Sequence, residues 1–147
     1  MSTVWHHWMG GHMNIGSMTS GSYGSGSPYD LGQWKWNVAS SGSSSVIPRR
    51  VIHFTPTSTG VYVKMPDART VPLGGPIYYF KNHAPTTYEI TIGLRSDSGT
   101  TLAVLKPGDA SESKHVAVAF CIDNTTEDGA WHFGIPRASK WATSPTS

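Results

Sequence analysis

The sequence has few charged side chains. Asp, Glu, Lys and Arg make up 14 % of its 147 residues, and the formal net charge is +2. So small a surplus is not the basic patch of a nucleic-acid-binding protein, and it gives little attraction to an acidic membrane surface. We therefore expect neither nucleic acid nor a membrane as a partner.

Cysteine is almost absent. Cys121 is the single cysteine, so no disulfide bond within the chain stabilises the fold. It lies in the apolar run 116–122, where a buried, inert thiol is expected. No apolar run approaches the roughly 18 residues of a membrane-spanning helix, and the first residues lack the basic and apolar regions of a signal peptide. We expect synthesis and assembly in a reducing cytoplasm.

The composition changes near residues 46–48. Residues 1–47 contain 8 Gly and 11 Ser, together with four of the six tryptophans and four of the five methionines. Flexible linkers do not carry such side chains, because leaving each of them in water forgoes roughly 1.5–3 kcal/mol relative to burial. We predict an extended, irregular assembly arm over 1–47, covered by another protein, and a separate domain over 48–147.

The stretch "VWHHWMGGHMNIGSM" at residues 4–18 is the most unusual part of this arm. Three histidines suggest zinc, but His6 and His7 are adjacent and point to opposite sides of an extended chain. Packing in an interface explains them better, so we expect no metal and no cofactor. The predicted partner-binding residues of the arm are Trp5, His6, His7, Trp8, Met9, His12, Met13, Trp34 and Trp36.

Alternating apolar and polar residues predict short strands throughout the second half. The turn residues Pro, Gly and Asp separate them, and no amphipathic helical stripe free of Gly and Pro is present. In the last long strand, large apolar residues alternate with Ala and Cys, which is typical of a strand covered on both sides. The strands are predicted at about 50–54, 60–64, 77–81, 87–94, 101–106, 114–122 and 129–134.

Seven short strands at intervals of about ten residues indicate an all-β fold. We predict an antiparallel β-sandwich or jelly-roll-like domain with almost no helix; a small barrel is the alternative.

Catalytic motifs are missing. No serine lies in a Gly-x-Ser-x-Gly elbow and no glycine run forms a phosphate-binding loop. The carboxylates of "DNTTEDG" at 123–129 would suit calcium, but an ordinary turn explains them better. The other histidines fall on different predicted strands and loops, so we expect no enzyme; they are His53, His83, His115 and His132.

Residues 61–133 resemble a β-rich module that recurs in head decoration, fibre and tail-associated proteins of tailed bacteriophages. The resemblance depends on a succession of turn and strand motifs: "VKMPDART", "VPLGGPIYYFKN", "YEITIGLRSDSGTTLAVLKPGD" and "AFCIDNTTEDGAWHF". It implies a compact β domain, commonly trimeric, that binds other virion proteins and has no catalytic residues.

Together these observations predict a non-enzymatic structural protein of a phage virion. The first hypothesis is a homotrimeric capsid decoration, or cement, protein whose arm docks on the major capsid protein. A tail, neck or fibre-associated role is the second, and a carbohydrate- or receptor-binding β module is the third, with Trp34 or Trp131 as a stacking platform.

Overall fold

A computed structural model describes the chain over residues 12–32, 51–75, 77–84, 87–96, 100–107 and 115–134. These residues are mostly strand, with a four-residue helix, α1 (Ser20–Tyr23), and one 3-10 turn (Ala68–Thr70). The strands are β1 (His12–Met18), β2 (Tyr29–Asp30), β3 (Val51–Pro56), β4 (Val61–Lys64), β5 (Tyr78–Asn82), β6 (Ile90–Gly93), β7 (Thr101–Leu105), β8 (Val116–Asp123) and β9 (Ala130–Gly134).

The strands predicted in the second half are confirmed, since each overlaps one of β3 to β9. The low helix content is confirmed for the described residues. Side chains of β3 alternate between partly exposed and buried positions, and β4 and β5 do the same. This period of two is the pattern from which the sequence predicted them.

The nine strands form two mixed sheets. One is five-stranded, in the order β1-β3-β5-β8-β9, and the other is four-stranded, in the order β2-β4-β6-β7. From β1 to β6 the chain alternates between the sheets, and only afterwards does it place consecutive strands side by side. Buried residues of both sheets belong to one hydrophobic cluster, which includes Phe54 and Phe80 of the first and Val63 and Ile92 of the second.

The prediction of antiparallel pairing is wrong for most strand pairs. Of the seven described pairs, four are parallel: β1/β3, β3/β5, β2/β4 and β4/β6. Each turn reverses the chain, but the next strand joins the opposite sheet, so neighbours within a sheet run in the same direction. Turn residues indicate that the chain reverses without indicating which strand it pairs with.

Residues 12–32, which the sequence assigned to the irregular arm, contribute a strand to each sheet. Ile15 and Met18 of β1 join the core at 9 % and 0 % exposure. The Thr57 N–H donates to the Met18 carbonyl at 2.8 Å, which fixes the end of β1 beside β3. Ile15 and Met18 are thus buried by this chain, because parallel pairing with β3 places them in its core. The predicted boundary at 47/48 lies outside the described residues.

Candidate interaction surface

Strand β8 turns its small residues inward. Ala117, Ala119 and Cys121 are fully buried, while the larger Phe120 is partly exposed and Ile122 is 54 % exposed. A strand covered on one face only normally has the opposite arrangement, with its bulky apolar residues inside. The outer face of β8 therefore carries the large apolar residues that a strand normally turns toward the core.

Aromatic side chains explain why β8 needs small residues on its inner side. Ala119 pairs with Tyr78 of β5 on one side and with Phe133 of β9 on the other. The Phe80 ring stacks between Phe133 and Phe54, with ring centroids 6.3 and 5.9 Å away. These rings from neighbouring strands fill the space above β8, so an inward bulky residue would overpack the core.

Exposed apolar side chains gather at one end of the five-stranded sheet. The described residues include three large hydrophobic side chains that are clearly exposed: Leu73 at 58 %, Ile77 at 50 % and Ile122 at 54 %. The Gly74 N–H donates to the Cys121 carbonyl at 2.9 Å, which holds the turn that carries Leu73 beside the end of β8. Extending the β5/β8 register by one residue places Ile77 opposite Phe120. We call Leu73, Ile77, Phe120 and Ile122 the apolar patch.

One row of paired residues crosses the whole sheet just above this patch. Its members are the first residues of β1 and β3, two residues of the middle strands and the last residue of β9: His12, Val51, Tyr79, Val118 and Gly134. Four strand spacings separate the two ends of the row, about 19 Å in all.

Three sequence segments join the sheet at this row. Residues 1–11 lead into β1, residues 33–50 lead into β3, and residues 135–147 follow β9. These segments carry five of the six tryptophans of the chain: Trp5, Trp8, Trp34, Trp36 and Trp141. The segments before β1 and β3, with four of the tryptophans, thus join the sheet at the end that exposes the apolar patch, whereas β9 runs away from the patch before residues 135–147 begin.

A pair of histidines lies farther along the same outer face. His83 Nε2 and His53 Nδ1 are hydrogen-bonded at 2.8 Å, with ring centroids 4.4 Å apart. A shallow groove of about 470 Å³ opens over this part of the sheet, lined by Val51, His53, Tyr79 and Lys81. The sequence separates the two histidines by 30 residues, so only the parallel β3/β5 pairing could have brought them together.

The ion pairs occupy a different part of the molecule. Arg95 is 16 % exposed and contacts Asp30 through Nη1 at 2.6 Å and Glu127 through Nε at 3.0 Å. Arg69 extends the network from Glu127 to Asp67, at 3.6 and 2.8 Å. Lys64 lies 3.6 Å from Asp30 at the other end. The network then holds three bases and three acids, so its formal net charge is zero.

The two aspartates of this network have lowered pKa values. Burial acts to raise the pKa of Asp30, but hydrogen bonds from Arg95 and from the Gly32 N–H outweigh it. For Asp67 the hydrogen bonds from the Arg69 side chain dominate and hold the pKa below its usual range, against the effect of burial. Asp67 also caps the 3-10 turn by accepting from the Arg69 N–H at 3.1 Å.

The acidic turn after β8 uses its carboxylates within the chain. Asp123 Oδ1 accepts from Thr125 N and Oγ1 at 2.9 and 2.7 Å, and Asp128 accepts from Ser96 N at 2.6 Å and from its hydroxyl. Across the described ranges, no group of three or more His, Cys, Asp or Glu side chains is placed to hold a metal ion.

Cys121 is buried, as the sequence predicted. Its Sγ donates to the Asp123 carbonyl at 3.2 Å, and burial raises the pKa of the thiol. The effect of burial on the pKa is the larger one, and it favours the neutral thiol over the nucleophilic thiolate.

Most of the predicted partner-binding residues lie outside the described residues: Trp5, His6, His7, Trp8, Met9, Trp34 and Trp36. The backbone of His12 and Met13 lies in β1. Trp131, the proposed stacking platform, is 9 % exposed, and its Nε1 donates to the Asp128 carbonyl at 2.9 Å. Trp131 is therefore a core residue, and that part of the carbohydrate hypothesis is wrong.

Neither a family model nor a curated protein nor a solved structure matches the chain. Among the described residues, no helix has the length and hydrophobicity needed to span a membrane.

Proposed function

We propose that this protein is a non-enzymatic structural protein of a phage virion that acts by binding other proteins. The observation that carries the proposal is the outward row of β8, where Phe120 and the 54 % exposed Ile122 face away from a complete core. An apolar face of this kind is typical of a surface that a protein partner covers.

The finer architecture belongs to the same proposal. The two sheets share one hydrophobic cluster, which supports a β-sandwich, but one with mixed sheets rather than the antiparallel sheets of a jelly roll. The tryptophan-bearing segments act as anchors at one end of this rigid body. Because the apolar anchors are joined to ordered strands, little of their binding free energy is lost in ordering the strands themselves.

Within the virion, we propose a homotrimeric decoration protein on the head. Trp5 and Trp8 would insert between copies of the major capsid protein, with Met9 packed beside them. Arm residues 1–11 contain no charged side chain, which suits a contact with buried apolar grooves rather than with nucleic acid. A place at the tail, neck or fibre base uses the same chemistry and is the alternative.

Removal of residues 1–11 tests the docking role. This truncation keeps β1 and both core residues Ile15 and Met18, whereas a longer deletion through residue 20 would remove a strand and confuse docking with unfolding. We expect particles assembled with the truncated protein to contain less than about a tenth of the normal copy number, by quantitative mass spectrometry.

The matched point variants are Trp5→Ala with Trp8→Ala, against Ser2→Ala with Thr3→Ala. The tryptophan pair should reduce incorporation and the control pair should not. Normal copy number for the truncated protein would overturn the docking proposal. Binding of the purified protein to a glycan array, lost in Trp34→Ala, would instead support the carbohydrate-binding alternative.

A further inference from the structure

We infer that the apolar patch is the surface through which copies of this chain associate, so that Leu73, Ile77, Phe120 and Ile122 bind a second copy of the protein. This inference deepens the proposed function, because it assigns the self-association to one end of the five-stranded sheet. Three observations support it: the position of the exposed apolar residues, the distribution of charge and the place where the tryptophan-bearing segments join the sheet.

The first argument is the position of the exposed residues. Leu73, Ile77 and Ile122 come from two different parts of the chain, yet they meet at the same end of one sheet. Scattered exposed leucines and isoleucines are ordinary on a protein surface, whereas a contiguous group marks an interaction site. Phe120 supplies an aromatic centre, and its ring lies 5.0 Å from that of His132 on β9.

The second argument is the distribution of charge, which favours a second copy of the chain as the partner. Along the described outward positions of β3, β5, β8 and β9, Lys81 is the one Lys, Arg, Asp or Glu. It is four residues from Ile77, about 13 Å along the strand. Asp123 follows Ile122 and is exposed; two hydrogen bonds from Thr125 hold its carboxylate in the turn after β8, at the edge of the patch.

A surface that binds a copy of itself brings identical groups near one another, so charge in its centre would cause repulsion. The apolar patch has none. Asp123 is the charged residue beside it, after Ile122 at the end of β8, and the ion-pair network lies in a different part of the molecule. The uncharged patch can therefore pack against the same patch on a second copy of the chain.

The third argument is the attachment of the chain segments. Residues 1–11 and 33–50 lead into β1 and β3, and both strands begin at the row of residues next to the patch. Association through the patch therefore gathers the tryptophan-bearing segments of all copies at one place. Several linked anchors bind a repetitive lattice far more tightly than one, because each later contact is intramolecular.

Sedimentation equilibrium of the full chain tests the inference. At micromolar concentration, wild type should show the mass of an oligomer, that is, at least two chains of 15.9 kDa each. Ile122→Glu should weaken association by about 100-fold or more, because the new carboxylate would be buried without a partner. Ile77→Glu should do the same from the neighbouring strand. Both positions are half exposed in one copy, so circular dichroism should show a folded chain.

Thr59→Glu is the matched control. Thr59 is exposed in the turn after β3, at the opposite end of the sheet, and receives the same charge. It should associate like wild type, and so should the truncation of residues 1–11, which leaves the patch intact. That truncation separates the two proposals, since it removes docking without removing association.

Three results would overturn the inference. The first is a monomeric wild type, which would mean that a different protein or another segment of the same chain covers the patch. The second is a glutamate variant at residue 77 or 122 that associates as strongly as wild type. The third is loss of association on removing residues 1–11 alone.

Discussion

Arg95 donates a hydrogen bond from Nη1 to Asp30 Oδ1 at 2.6 Å and so ties the loop after β6 to the last residue of β2. A second bond at 3.2 Å joins Arg95 Nη1 to the Gly32 carbonyl. Because β2 is a two-residue edge strand, this arginine supplies much of what holds residues 29–32 against the four-stranded sheet.

We therefore expect Arg95→Met to lower the free energy of unfolding by roughly 1–2 kcal/mol, since it keeps the apolar stem and removes the donors. Lys106→Met is the control, because the Lys106 side chain is 39 % exposed, against 16 % for Arg95. Loss of its ion pair with Glu89 should lower the free energy of unfolding by less than about 0.5 kcal/mol. Urea unfolding measures both. Equal losses in the two variants would show that Arg95 has no special role.

Acid should destabilise the protein below about pH 4. The pKa values of Asp30 and Asp67 are lowered in the folded state, so their contribution is complete above the unfolded value of 3.8 and is lost as pH falls through the folded values. Asp67→Asn keeps the cap of the 3-10 turn but no longer titrates. Its loss of stability between pH 5 and 2 should be smaller than that of wild type, by thermal unfolding across the series. A parallel decline would contradict the assignment.

Asn82 should be difficult to replace. It is fully buried; Nδ2 donates to the Tyr88 and Leu105 carbonyls at 2.8 and 3.1 Å, and Oδ1 accepts from the Ala84 N–H at 2.8 Å. Asn82→Leu leaves three buried backbone groups without partners and should cost roughly 3–5 kcal/mol.

The control for Asn82 is Asn124→Ala. Asn124 is only partly buried and makes one described side-chain bond, to the Val71 carbonyl at 2.9 Å, so its loss should cost about 1 kcal/mol. Chemical denaturation compares the two. The prediction fails if Asn82→Leu costs no more than Asn124→Ala.

Gly129 needs both its conformation and its lack of a side chain. Its φ is 60°, and a Cβ there would overlap Ala68 Cβ and the Asp123 carbonyl. Gly129→Ala should cost roughly 2–4 kcal/mol. Gly74 has a φ of 58° with open space around it, so Gly74→Ala isolates the conformational part and should cost about 1 kcal/mol. The difference between their thermal unfolding midpoints measures the steric part.

Local sequence patterns predicted the strands well but not the way they pair. The alternation in β3, β5 and β8 depends on residues two apart, so it is visible in any short window. The pairing of Val51 with Tyr79 joins residues 28 positions apart and depends on every intervening turn. Antiparallel neighbours were the natural expectation for short connections, and the switch between sheets has no local signature.

The candidate surface was only half visible in the sequence. The alternation of Val118, Phe120 and Ile122 with small residues predicted a strand covered on both sides; the chain covers the inner side, whereas Ile122 on the outer side is 54 % exposed. Leu73 and Ile77 gave no such signal, because the place of Leu73 beside β8 depends on the Gly74–Cys121 hydrogen bond and that of Ile77 on the β5/β8 register. The His53–His83 pair was missed because it depends on the parallel pairing of β3 with β5, which the sequence did not predict.

The alternate winding of β1 to β6 has a consequence for how this molecule can change its length. Each pair of strands, one in either sheet, forms a turn of chain that contacts the turns before and after it. An inserted or deleted pair would therefore meet the same kind of neighbour that the original pair met, with the antiparallel strands β7 to β9 still closing the last turn. Such a duplication would lengthen the body in steps of one strand spacing, about 4.8 Å, while keeping the β8 surface intact.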